Sequence, residues 1–202
     1  MQFRIKHTQI YISFTFLALL ILFLSIGELN FCILSLSASL IHEFIHLFFI
    51  ILFSGKISKI NLSLFGADIV RHTQHSLTNV KEAVISFSAP VMNILIGIII
   101  FWLNGFFTRF SVVNLTIGVF NILPFFNFDV GRGLKYLLSC RLSERVCDYI
   151  IIFLSVGVTI IFSFLSVYIF FNSSKNFILI FLSIYMIFSI IMSVRKKTKI
   201  KS

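Results

Sequence analysis

The chain has 202 residues and a net charge of +10, yet only 12% of its residues are charged, 58% are hydrophobic and the mean hydropathy is +1.05. That balance excludes an ordinary soluble domain and makes the bilayer the natural solvent. Cys32, Cys140 and Cys147 form no close-spaced pair, which argues against a thiolate zinc site or a disulfide framework.

A hydrocarbon core of roughly 30 Å requires about 20 apolar residues per helical span. Stretches of that kind run approximately from Ile10 to Ile26, Asn30 to Phe53, Ala83 to Leu103, Val112 to Phe128, Tyr149 to Phe171 and Phe177 to Val194. The sequence therefore predicts an all-α integral membrane protein of about six transmembrane helices. The first stretch follows Arg4 and Lys6 in the manner of a signal peptide. It is longer than a signal core, however, and no small-x-small cleavage pattern follows Glu28, so it is read as a helix. After the second span, Ile60, Leu62 and Leu64 alternate with Asn61 and Ser63 until Gly66 interrupts the pattern, which predicts a short β-hairpin at the cytoplasmic face. Such a hairpin can offer an edge strand to an extended peptide or rest on the membrane as an amphipathic connector.

The positions of the 17 Lys and Arg residues orient this frame. With a cytoplasmic N-terminus, Arg4, Lys6, Lys56, Lys59, Arg71, Lys81, Arg132, Lys135, Arg141, Arg145 and the basic tail from Arg195 to Lys201 share one side, leaving only Arg109 and Lys175 opposite. The positive-inside rule then places both termini in the cytoplasm of a multi-pass protein of the cell membrane. The tail reads as a topology determinant touching anionic lipid, and nucleic acid is not an expected partner.

Ionisable groups deep in a span are costly and mark function. The second span reads His42-Glu43-Phe44-Ile45-His46. Histidines four apart share a helical face and can reach one zinc ion, with Glu43 beside them as a base. Zinc catalysis needs a third protein ligand and an open position. Of the seven acidic residues, Glu28 falls on the outer side, while Asp68, Glu82, Glu144 and Asp148 belong to cytoplasmic loops or their borders. Asp129 remains, closing a segment in which Pro124 is expected to break or kink the fourth span. His46 lies about 10 Å from the cytoplasmic end of its span at 1.5 Å per residue, and Asp129 stands at the same end of its own. His7, His72 and His75 fall in cytoplasmic segments and read as ordinary exposed histidines.

With these motifs in place, the chain resembles the site-2 protease family of intramembrane zinc metalloproteases. The family pattern is His-Glu-x-x-His on one helix and Asn-x-x-Pro followed by a Leu-Asp-Gly-like turn on a later one. Here those are His42, Glu43 and His46, then Asn121, Pro124 and Asp129. Ala89-Pro90-Val91-Met92-Asn93 looks like a version of the family's Gly-Pro-x-x-Asn element. Val130 stands where the family usually has Gly, Asn127-Phe128 where Pro-Leu is common, and Ala89 where Gly is common. The span count and cytoplasmic termini look most like the stage IV sporulation protease subgroup, as one polytopic domain over residues 1–202 without a PDZ or regulatory domain.

The resemblance implies one Zn2+ per chain held by His42, His46 and Asp129, with Glu43 as catalytic base and Asn93 and Asn121 binding substrate or oxyanion. It implies cleavage of a membrane protein or membrane-tethered peptide near the cytoplasmic side of the bilayer, and leaves substrate identity and oligomeric state open. A catalytically inactive relative that binds membrane proteins is the first rival. A transporter using the same His pair is the second; the repeated spans or polar path it would need are not visible.

Overall fold

The computed structural model describes residues 2–5, 8–12, 29–53, 57–63, 66–71, 77–172 and 177–199. The chain divides into two compact units, Met1–Ile122 and Leu123–Ser202.

In the first unit, strands β1 (Gln2–Ile5) and β2 (Thr8–Ile12) precede helix α1 (Leu29–Leu52). Strands β3 (Ile57–Ser63) and β4 (Gly66–Arg71) follow it, and then come helices α2 (Asn79–Asn104) and α3 (Arg109–Ile122). The strands form one sheet in the order β1-β2-β3-β4. β1 and β2 pair antiparallel, β2 and β3 pair parallel with Ile10 opposite Ile60, and β3 and β4 pair antiparallel with Ile60 opposite Ile69.

Two expectations change here. The first apolar stretch does not begin as a helix at Ile10, because Ile10, Tyr11 and Ile12 are strand. Hydropathy does not separate an apolar strand from an apolar helix, and β-branched and aromatic residues suit a pleated ladder. The remainder of that stretch, residues 13–26, lies outside the described residues. So do Gly55, His7, His72, His75 and the residues beyond Lys199. The strands after α1 do not stand as an isolated hairpin either. β3 is an inner strand of the mixed sheet, and β4 is an edge.

α1 becomes a helix because its run of Leu, Ile and Phe is uninterrupted by Pro or Gly. Its buried positions Ala38, His42, His46 and Ile50 recur every four residues along one stripe. Leu40, Phe44, Phe48 and Ile51 are exposed, as an outer face meeting hydrocarbon requires. α2 ends where Gly105 adopts φ 72° and donates its N–H to the Phe101 carbonyl at 2.9 Å. Trp102, exposed at that end beside exposed Phe106 and Phe107, has the amphipathic ring that suits a membrane–water boundary.

α2 and α3 pack at backbone distance. A Cβ on Gly97 would lie 2.6 Å from Leu115 Cγ, and one on Gly118 would lie 2.6 Å from Ile94 Cγ1 and 2.8 Å from the Pro90 carbonyl oxygen. Small residues of this kind let membrane helices approach closely enough for dispersion to hold them, since hydrocarbon supplies no hydrophobic drive between helices.

The second unit contains α4 (Asp129–Leu138), α5 (Glu144–Asn172) and α6 (Phe177–Lys199). The helix expected over Val112–Phe128 is shorter than the sequence suggests, since α3 ends at Ile122. Pro124 lacks an N–H and disfavours a helical residue before it, so Leu123–Phe128 leaves the helix two residues ahead of the proline. α4 then starts at Asp129, an element not anticipated from the sequence. Among the described residues α1, α2 and α5 are long and apolar enough to cross a membrane, while Arg109–Ile122 and Leu179–Arg195 are shorter apolar helices. In α5, Ser155, Thr159 and Ser166 are buried, and Ser166 Oγ donates to Ser183 Oγ of α6 at 3.5 Å.

Candidate metal centre

The buried stripe of α1 brings two imidazoles one helical turn apart. His42 and His46 are 6% and 9% exposed, with ring centroids 4.9 Å apart and edge to face. His46 Nδ1 lies 3.0 Å from the carbonyl oxygen of Ile85 on α2. A carbonyl oxygen only accepts, so the shared proton sits on Nδ1 and the lone pair is left on Nε2. This is the tautomer and orienting contact characteristic of a ligating histidine. The same carbonyl accepts from Ser88 Oγ at 2.7 Å. Glu43, next to His42, is half-buried.

Asp129 opens α4 and is 4% exposed. An acidic residue in the first turn of a helix is favoured by the amide groups that lack intrahelical partners there. Arg132, one turn on, donates from Nη2 to Asp129 Oδ1 at 2.9 Å. Gly131 lets this turn close, since a Cβ there would run into the carbonyl of Phe125.

His42 and His46 in the first unit and Asp129 in the second are each buried side chains of a type that ligates metal. Two imidazole nitrogens and one carboxylate oxygen are the donor set of a catalytic zinc site with one open position. The orientation of His46 by a backbone carbonyl fits that chemistry.

The two asparagines sit differently. Asn93 is fully enclosed on α2 and donates from Nδ2 to Asn114 Oδ1 of α3 at 3.4 Å, while Asn114 Nδ2 donates to the Phe110 carbonyl at 2.9 Å. Asn121 is half-buried near the end of α3 and donates to the Ile117 carbonyl at 3.1 Å.

Sequence reasoning missed Arg132, Gly131 and Asn114. An Asn inside an apolar span was a usable signal for Asn114. Arg132 stands at i+3 from Asp129, and its pairing became legible only once α4 was known to be a helix.

No protein-family profile matches the chain. It is 25% identical over 203 aligned residues to a zinc metalloprotease of Methanocaldococcus jannaschii, an alignment covering 86% of the chain and 59% of the relative. The chain thus spans less than two thirds of that curated relative's length. A solved structure of a site-2 protease from the same organism superposes with a TM-score of 0.65, at 24% identity, covering 95% of this chain and 94% of that one. In fold the chain is therefore similar to a site-2 protease and in sequence to a zinc metalloprotease, and its resemblance to the site-2 protease family rests on both.

Proposed function

We propose that this chain is an intramembrane zinc metalloendopeptidase, cutting a transmembrane or membrane-tethered protein near the cytoplasmic side of the bilayer. The observation that carries the reading is the His46 Nδ1–Ile85 carbonyl contact at 3.0 Å, which directs Nε2 of a buried histidine one turn from a second buried histidine. Asp129, a buried carboxylate at the start of α4, is the third ligand this reading takes.

In this reading His42 and His46 hold one zinc through imidazole nitrogens and Asp129 holds it through its carboxylate. Bound there, the metal supplies Lewis acidity toward a water molecule and the scissile carbonyl. Glu43 takes a proton from the attacking water on its carboxylate and returns it to the leaving amine. Asn121 is half-buried near the end of α3, and in this reading it is the asparagine that touches a substrate backbone. Asn93, wholly enclosed, serves chiefly by joining α2 to α3. A substrate helix has to unwind before cleavage, because its carbonyls are occupied by their own hydrogen bonds. β4, an edge strand, can pair with the extended segment that results. The basic residues on one side of the spans support a multi-pass protein with both termini cytoplasmic.

The test is zinc content and cleavage of a membrane-tethered reporter in the purified full chain. Wild type and Glu43→Gln should each carry zinc, with cleavage lost in Glu43→Gln. His46→Ala and Asp129→Ala should lose both. Cleavage by Glu43→Gln sinks the base assignment, and a well-folded wild type without zinc favours an inactive, membrane-protein-binding relative.

A further inference from the structure

Asp129 follows a non-helical connection, residues 123–128, that makes a short-range turn of its own. Phe128 N–H donates to the Phe125 carbonyl at 2.9 Å, and the Phe125 ring is fully buried against Phe126 and Phe128. Two further bonds fasten this connection to the helices that follow. Phe126 N–H donates to Ser155 Oγ of α5 at 2.9 Å, and Ser155 Oγ itself donates to the Ile151 carbonyl at 2.7 Å. Ser155 is fully buried, so its one hydroxyl both accepts from the loop and is anchored to its own helix. Asn127 Nδ2 donates to Ser189 Oγ of α6 at 2.7 Å, with Tyr185 Oη at 3.5 Å.

We propose that Asn127 and Ser189, together with Ser155, are positioning residues that set the carboxylate of Asp129, two residues along the chain, for metal binding. This rests on the zinc reading given above. The argument is one of entropy and reach. A connection of six residues held only by its own turn leaves the first residue of α4 free to shift, whereas a metal ligand has to stay within a few tenths of an ångström of its place. A main-chain bond at Phe126 and a side-chain bond at Asn127 fix successive residues to two different helices. Asn127 is itself exposed, so solvent contact alone would satisfy its amide. Its 2.7 Å bond to Ser189 is therefore a choice of partner that ties α6 to the ligand loop.

The experiment measures zinc affinity of the detergent-purified full chain by competition with a fluorescent chelator. The variants are Asn127→Ala, Ser189→Ala, Ser189→Thr, the double variant Asn127→Ala/Ser189→Ala and Asp129→Ala. Asn127→Ala and Ser189→Ala should each weaken zinc binding by about tenfold, as loss of an outer-shell support does. The double variant should be no weaker than either single one, and Ser189→Thr, which keeps the accepting hydroxyl, should bind as wild type. A general loss of fold would not spare Ser189→Thr or cancel in the double variant. Wild-type affinity in either alanine variant, or losses that multiply in the double variant, overturns the proposal. If Asp129→Ala loses zinc while Asn127→Ala does not, the tether alone is wrong. If wild type binds no zinc, or Asp129→Ala binds it as well as wild type, the zinc reading falls and the tether with it.

Discussion

A histidine that ligates a metal must present one nitrogen and give the other a fixed partner, because an imidazole free to turn loses both orientation and the right tautomer. His46 meets this requirement through the Ile85 carbonyl. The carboxylate is supported in a comparable way by Arg132, whose guanidinium donates to Asp129 Oδ1. A planar guanidinium fixes a carboxylate by direction as well as by charge. Arg132→Ala is therefore expected to weaken zinc binding by about 10- to 100-fold, and Arg132→Lys to recover part of the loss by restoring charge without the fork. Chelator competition reads both, and an unaltered affinity in Arg132→Ala would remove Arg132 from the site.

At the scale of elements, α4 depends on an approach that no other residue type permits. A methyl group at Gly131 would overlap the Phe125 carbonyl, so either the loop or the first turn of α4 has to move. Overpacking of this kind costs about 1 to 3 kcal/mol, and here it acts two residues from Asp129. Gly131→Ala should lower both the unfolding free energy and the zinc affinity. Gly157 of α5, where a Cβ meets nothing within 4 Å, is the control position for a glycine-to-alanine change in the same unit. Equal behaviour of the two variants in denaturant unfolding and zinc titration would contradict the close-approach argument. The sheet illustrates the same scale. The alternation at residues 60 to 64 announced strands, but the parallel pairing of β2 with β3 joins segments separated by the whole of α1 and left no mark in local periodicity.

For the whole molecule, a ligand that binds the folded chain and not the unfolded one raises stability by mass action, by about 2.7 kcal/mol at a hundred times its dissociation constant. A strong chelator should accordingly lower the melting temperature of the wild-type chain and leave that of His46→Ala where it already stands. A chelator that shifts both alike, or neither, would separate the metal from the fold. The bilayer shapes the rest of the ledger. With exposed Phe, Leu and Ile on the outer faces of α1, α2 and α5, apolar burial between helices gains little over contact with lipid. Close backbone contact at Gly97 and Gly118 and polar pairs such as Asn93–Asn114 and Ser166–Ser183 are what distinguish these helix pairings from others the same composition allows.

Some of this was legible residue by residue. Composition pointed to a membrane as the solvent, because 58% hydrophobic and 12% charged residues with a mean hydropathy of +1.05 lie far from the balance of a soluble domain. The spacing of His42 and His46 determined a shared face, because 3.6 residues per turn is a property of the local backbone. Pro124 determined that α3 must stop, again for a local reason. Tertiary structure decided what depends on distant neighbours. It decided that the carbonyl orienting His46 comes from Ile85, that the Asn93 amide donates to Asn114, and that Ile10–Ile12 pairs as strand. It also decided that a short helix beginning at Asp129 brings Arg132 onto the carboxylate. Hydrogen bonds across elements are set by packing and register, and neither is encoded in the periodicity of any one segment.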